Sequence, residues 1–138
     1  MIQSIHSTLA YAVLAVVAIA AINAFLGLSS KRNFTKNDRS LSLVALILSH
    51  IQLLVGLVLW ATSPLGKDAM RQMSNAAMRL TAVEHPLVNI IAIVLITIGW
   101  SKHKKEESSN GKFKKIGIFY ALGLLLILSR IPWSNWMA

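Results

Sequence analysis

The sequence contains no cysteine in its 138 residues. This absence excludes disulfide bonds, thiolate metal sites, iron–sulfur clusters and covalently attached heme. Any metal or cofactor must therefore be held by histidine, methionine or oxygen ligands. The chain also lacks a Gly-rich phosphate loop, an HExxH motif and a nucleophile elbow, so it offers no sign of a stand-alone catalytic site.

Acidic residues are scarce, with five Asp and Glu against fourteen Lys and Arg, and charge of either sign is missing from long parts of the chain. No Asp, Glu, Lys or Arg occurs in residues 1–30, 40–66, 86–101 or 116–129. A helix needs about 20 predominantly apolar residues to cross the hydrocarbon core of a bilayer. The first two stretches meet this requirement by themselves, and the other two meet it with their flanks.

These stretches predict an all-α integral membrane protein with four transmembrane helices, at about residues 3–28, 41–62, 80–100 and 113–133. The first lacks the basic n-region of a signal peptide and has too long an apolar run, so we expect it to be retained. Because the connections are short, residues 1–138 are expected to form one up-down-up-down bundle with no separate soluble domain.

The basic residues predict the orientation of this bundle. Ten of the fourteen fall in two connections, at Lys31, Arg32, Lys36, Arg39, Lys102, Lys104, Lys105, Lys112, Lys114 and Lys115. The positive-inside rule makes both connections cytoplasmic, so both termini are expected on the outer side of the membrane. Trp60, Trp133 and Trp136 would then mark the outer interface, and Trp100 the inner one. Since topology and anionic lipid account for the charge, no nucleic-acid partner is expected.

Three histidines, His6, His50 and His85, lie in or at the ends of the predicted spans. An ionisable side chain inside a membrane is costly, so each is a candidate functional residue, although a lone histidine can also serve only to bond neighbouring helices. At about 1.5 Å per residue, His6 and His85 fall near the outer side, and His50 falls near the middle of helix 2.

His6 and His85 belong to helices that face each other diagonally in such a bundle, so they could approach its axis from opposite sides, as bis-histidine heme requires. The competing pair is His50 with His85, from adjacent helices with a modest difference in depth. His103 lies among lysines and is expected to be a solvated loop residue.

Polar neighbours support a cofactor near the outer side. Asn89 follows His85 by one turn and shares its helix face. Arg130 lies at the depth where the propionates of an outward-facing heme would be, and its alternative role is a snorkelling interfacial anchor. A stripe of small residues continues the His6 face of helix 1 and could leave room for a flat ring, although close helix packing is the favoured interpretation. It consists of Ala10, Val13, Val17, Ala20 and Ala24.

Methionines offer a different metal chemistry. Met70 and Met73 lie about one helical turn apart in the predicted outer loop, and Met78 follows them. Thioether sulfur is a soft ligand that favours cuprous copper. An amphipathic interfacial helix with its methionines toward lipid explains the same spacing and is the favoured interpretation.

Five segments resemble a family of small bacterial four-helix membrane proteins labelled cytochrome b-like. They are Ile-His-Ser at 5–7, Ser-His-Ile-Gln-Leu-Leu-Val-Gly-Leu at 49–57, Val-Glu-His-Pro at 83–86, Thr-Ile-Gly-Trp-Ser-Lys at 97–102 and Ser-Arg-Ile-Pro-Trp at 129–133. The resemblance implies b-type heme held by His6, His50 or His85. The family pattern has a histidine where this chain has Trp100, so that position is not counted as a ligand.

We therefore expect an electron carrier rather than a stand-alone enzyme, with one non-covalent heme b on two of the three histidines and Arg130 beside a propionate. The remaining histidine, for which His50 is the first choice, would serve a quinone site or a hydrogen-bond network. The expected partners are membrane lipid, quinone or a respiratory complex, and further copies of the chain. The alternatives are a copper-handling protein that uses histidine and methionine ligands, and a cofactor-free structural subunit of a larger membrane complex.

Overall fold

The computed structural model describes residues 2–62 and 75–131, which are helical almost throughout and contain no strand in those two ranges. The helices are α1 (Ile2–Ser30), α2 (Lys36–Thr62), α3 (Ala76–Arg79), α4 (His85–Lys105) and α5 (Ser109–Ser129), and a π-helical segment at Leu80–Glu84 joins α3 to α4. The all-α prediction is confirmed.

Three segments in the described part of the chain are long and apolar enough to cross a membrane, namely Ile2–Ser30, Lys36–Thr62 and Ala82–Lys105, with mean hydropathies of 2.4, 2.3 and 1.9. The fourth predicted span corresponds to α5, which begins with three lysines within seven residues and does not meet the same criterion. Beyond those lysines, α5 exposes Leu122 and Leu125, with 47% and 62% of their surface accessible. Such aliphatic side chains suit a lipid-facing surface, as they do on the other long helices.

The four long helices form a ring in which α1 and α4 lie opposite each other. Helix α5 packs against both α1 and α4, and α2 packs against the same two helices from the other side. The contact between α2 and α4 is the least extensive of the four. This is the arrangement that an up-down-up-down bundle produces, and it puts the first and third predicted spans on the diagonal.

Small residues let α5 approach its neighbours closely. A Cβ atom at Gly123 would lie 2.7 Å from the Ile96 side chain, and one at Gly27 would lie 2.5 Å from the Phe113 ring. Val17 and Ala20 on α1 are completely or almost completely buried in the same core. The small-residue stripe of α1 therefore serves helix packing, as expected.

At one end of the bundle, which we call the basic end, a hydrogen-bonded ion pair closes the connection between α1 and α2. The Arg32 Nη1 atom lies 3.0 and 2.8 Å from the two carboxylate oxygens of the buried Asp38. Asn23 donates to Asp38 over 2.8 Å and accepts from Arg32 over 2.7 Å, and Thr35 donates through both its N–H and its hydroxyl. Hydrogen bonding to the Asp38 carboxylate raises the pKa of the Arg32 guanidinium.

His103 is buried at this end, so the expectation of a solvated loop residue is wrong. It lies in the last turn of α4 with 1% of its surface accessible. Its ring lies 4.5 Å from the Trp100 ring and 5.4 Å from the Phe34 ring, between centroids, and Nδ1 bonds to the Trp100 carbonyl. The adjacent Lys104 places its Nζ atom 6.0 Å from the centroid of the Trp100 ring, so the charge of the neighbouring lysines hid a buried position in the sequence.

Replacing Asp38 with Ala should lower the free energy of unfolding by about 2 kcal/mol, because it leaves the Arg32 and Asn23 side chains without their shared acceptor. Titration with SDS in mixed micelles, followed by circular dichroism, measures this change. Glu107, an exposed carboxylate in the connection between α4 and α5, is the matched control, and Glu107→Ala should change stability little. Equal effects of the two variants would show that the ion pair is not needed for folding.

Candidate functional site

The end of the bundle opposite the basic end, which we call the histidine end, brings together His6 from α1 and His85 from α4. Their ring centroids are 6.2 Å apart and the ring planes are inclined at 80°. The two helices lie on the diagonal of the ring, so the imidazoles approach each other across the interior of the bundle. The structure thus places these two histidines together as the sequence predicted.

A proline shapes the backbone that presents His85. Pro86 has no N–H group, so it cannot donate to the carbonyl of Ala82 four residues earlier, and its ring crowds that carbonyl. The chain widens here into the π-helical segment Leu80–Glu84, in which the His85 N–H donates to the Leu80 carbonyl, five residues back. Such π-bulges occur frequently at functional sites.

Helix α2 supplies the donor that Pro86 lacks. The indole Nε1 of Trp60 donates to the Ala82 carbonyl over 2.7 Å. Trp60, which was expected to mark the outer membrane interface, is half-buried and also bonds α2 to this segment. The signal that could have found this contact is the carbonyl that a proline inside a helix leaves without a partner.

The ring of His85 is held from α5 and from its own helix. Its Nδ1 atom lies 3.0 Å from the carbonyl oxygen of Arg130. Because a carbonyl only accepts hydrogen bonds, Nδ1 carries the proton and Nε2 carries the lone pair. The Asn89 amide nitrogen lies 3.0 Å from Nδ1 and 3.2 Å from Nε2, and it donates to the His85 carbonyl over 2.7 Å. Asn89 therefore lies on the histidine's face, as its spacing predicted.

The ring of His6 packs against the backbone of α2, where a Cβ atom added to Gly56 would lie 3.2 Å from its Cε1 atom. One turn earlier, Gln52 donates from Nε2 to the His6 carbonyl over 2.8 Å. Within residues 2–62 and 75–131, two buried side-chain atoms have no hydrogen-bond partner, and they are His6 Nδ1 and Gln52 Oε1. Buried polar atoms are nearly always bonded, so this pair indicates a site prepared for rearrangement or for a ligand.

Charged groups line the outer rim of the site. The two carboxylate oxygens of Glu84 lie 3.4 Å from Arg130 Nε and 3.1 Å from Arg79 Nε. All three side chains are between one third and one half exposed. The Arg130 carbonyl therefore accepts a hydrogen bond from His85, and the Arg130 guanidinium forms an ion pair with Glu84. The sequence predicted neither contact.

His50 lies apart from the other two histidines, near the middle of α2 and on the exposed surface. Its Nδ1 atom bonds to the Leu46 carbonyl over 2.9 Å, and its Nε2 atom lies 3.4 Å from the hydroxyl of Thr97. Thr97 follows His85 by twelve residues along α4, or about 18 Å. The depth difference between His50 and His85 is therefore larger than expected, and the structure does not bring this competing pair together.

The donor set at the histidine end suits a metal that needs only two protein ligands. In the described part of the chain, no group of three or more His, Asp or Glu side chains gathers to hold a metal ion. Two imidazoles bound to one metal from opposite sides have centroids about 6 Å apart, given metal–nitrogen bonds of about 2 Å. The observed centroid distance of 6.2 Å is compatible with this spacing. Met70 and Met73, the proposed copper ligands, lie outside the described residues, as do Trp133 and Trp136.

Replacing Trp60 with Phe should destabilise the protein by about 1–2 kcal/mol, because the buried Ala82 carbonyl then has no donor. Replacing Pro86 with Ala at the same time restores a backbone N–H four residues after Ala82, so the double variant should recover most of that loss. SDS titration of the two single variants and the double variant gives the coupling energy between the two positions. Strictly additive effects would contradict this account of the π-helical segment.

No protein-family model matches this chain, and neither a curated protein nor a solved structure does so. The resemblance to cytochrome b-like proteins therefore stays a hypothesis.

Proposed function

We propose that this membrane protein binds one non-covalent heme b between His6 and His85 and transfers electrons in a bacterial cytoplasmic membrane. The observation that carries the proposal is the meeting of these two imidazoles, with ring centroids 6.2 Å apart, inside a bundle that is otherwise closely packed. Heme supplies a metal centre that gains and loses one electron reversibly.

Hydrogen bonds at Nδ1 would prepare both histidines to bind iron through Nε2. A metal-ligating histidine usually donates its other N–H to a carbonyl or carboxylate, which fixes the tautomer and the ring orientation. His85 already makes such a bond to the Arg130 carbonyl. The Gln52 side chain is within reach of the His6 ring, and a small rotation would join the unpartnered Nδ1 and Oε1 atoms.

Other side chains of the site would adapt to the cofactor without losing their partners. Asn89 can release Nε2 of His85 and keep its shorter bond to the His85 carbonyl. Arg130 can turn its guanidinium toward a propionate while Arg79 retains Glu84. If both histidines held the heme iron, no position would stay open for a substrate, which favours electron transfer over catalysis at the metal.

The orientation of the molecule is part of the proposal. The basic end carries ten of the fourteen Lys and Arg residues, so the positive-inside rule places it in the cytoplasm and the histidine end toward the outer side. The cofactor would then exchange electrons near the outer surface, with a quinone or a respiratory complex as partner.

Replacing either His6 or His85 with Ala should abolish the low-spin heme spectrum, because each variant removes one axial ligand. Reduced-minus-oxidised optical spectra of the purified variants, with heme content measured chemically, test this. His50→Leu is the matched control, and it should keep the wild-type spectrum because His50 lies about 18 Å from His85 along the bundle. A normal spectrum in His85→Ala would sink the ligand assignment.

Replacing Arg130 with Gln should lower the reduction potential by about 10–40 mV, the equivalent of the ~0.2–1 kcal/mol that an exposed charge pair contributes. The sign follows because a nearby positive charge stabilises the reduced state, which carries one less positive charge. The backbone carbonyl that holds His85 remains, so the heme content should not change. A redox titration followed optically measures the potential, and an unchanged value would remove the Arg130 guanidinium from the heme pocket.

A further inference from the structure

The Nε2 atom of His50, on the exposed apolar surface of the bundle, makes only a long contact with Thr97 in the described part of the chain. Its Nδ1 lies 2.9 Å from the Leu46 carbonyl, which can only accept, so the ring proton resides on Nδ1 and Nε2 carries a lone pair. Among the described residues, the Thr97 hydroxyl lies 3.4 Å from Nε2. That hydroxyl donates its one proton to the Ile93 carbonyl over 2.7 Å, so no hydrogen lies between Thr97 and Nε2.

The position of His50 makes this acceptor costly. It lies near the middle of α2, and its neighbours Ile47, Ile51 and Leu54 expose 47%, 43% and 65% of their surface. The hydrocarbon core of a bilayer contains no N–H or O–H group that could fill the lone pair. A donor must therefore come from a molecule that is dissolved in the membrane or from another protein chain.

A second copy of this chain does not supply the donor through a symmetric contact at His50. Two such histidines would face each other with Nε2 lone pairs, because both Nδ1 protons are held by Leu46 carbonyls. The acceptor instead suits the hydroxyl of a small apolar molecule. The exposed seam where α2 meets α4, the least extensive helix contact of the bundle, gives an apolar ring or tail a surface to lie on.

We propose that His50 and Thr97 form a binding site for a membrane-dissolved hydroquinone, whose hydroxyl donates to Nε2 of His50. Among apolar molecules with a hydroxyl group, the choice of a hydroquinone rests on the proposed electron-transfer function, because such a protein exchanges electrons with a redox-active partner. The hydrogen bond itself rests on the geometry of His50 and Thr97 alone.

Nitrogen NMR of the full chain, labelled with ¹⁵N-histidine and placed in lipid nanodiscs, tests the proposal directly. The probe is durohydroquinone, kept reduced with dithionite, and its dimethyl ether is the matched control that has no hydroxyl donor. Durohydroquinone should move the Nε2 resonance of His50 saturably toward the hydrogen-bonded position, and the ether should not. The same resonance must be missing from His50→Leu.

Variants at the proposed site and on the exposed face of α5 distinguish specific binding of the probe from its general partitioning into the lipid. Thr97→Val should raise the Kd for durohydroquinone about two- to tenfold, as expected for the loss of one polar neighbour, and Leu125→Ala on the exposed face of α5 should leave it unchanged. Equal shifts with the ether, or no saturable shift, would overturn the proposal. A third result would also overturn the proposal: the NMR spectrum shows Nε2 of His50 hydrogen-bonded without the probe, and this bond is lost when the chains are diluted in lipid. The donor would then be another protein chain.

The heme content of every NMR sample is recorded optically, so the two proposals fail separately. A colourless protein that still binds durohydroquinone at His50 would refute the heme assignment alone. A protein with a normal low-spin spectrum and no response at His50 would refute the hydroquinone site alone.

Discussion

The bilayer requires every enclosed polar group to find its partner within the protein, and this constraint accounts for most of the polar contacts in the structure. Tyr120 on α5 donates its hydroxyl to the Ser42 carbonyl on α2 over 2.8 Å. Trp60 fills the carbonyl that Pro86 leaves without a donor, and Asp38 gathers the donors around the first connection. Polar groups that escape this rule are rare in the described part of the chain. They are His6 Nδ1 and Gln52 Oε1, at the histidine end of the bundle.

The two ends of the bundle differ in how completely their polar groups are satisfied. At the basic end, Asp38 accepts from three residues, and the aromatic rings of Phe34, Trp100 and His103 pack together. At the histidine end, a π-helical segment replaces regular helix and two buried atoms lack partners. We infer that the basic end holds the bundle together and that the histidine end keeps unsatisfied groups for a cofactor.

The sequence predicted the features that depend on long stretches of residues. The runs without charge predicted the all-α class and the helices. The short connections predicted helices of alternating direction, and from this arrangement His6 was expected opposite His85. Asn89 beside His85 was predictable from its spacing within one helix, whereas the contacts that come from other helices were not. Pro86 marks the Ala82 carbonyl as lacking a donor, but nothing in the sequence shows that Trp60 fills it, and the Arg130 carbonyl on His85 leaves no pattern in the sequence. The prediction that His103 is solvated was wrong because the neighbouring lysines suggest exposure. The burial of the ring comes instead from contacts such as the one with Phe34, in the connection between α1 and α2.

The central claim is that His6 and His85 hold one heme between them. Titration of the purified full-length protein with hemin in lipid nanodiscs, followed by low-temperature electron paramagnetic resonance at the binding endpoint, tests it most directly. The account predicts saturation at one heme per chain with a low-spin ferric signal typical of bis-histidine ligation. A high-spin signal, or hemin uptake that does not saturate, would contradict it.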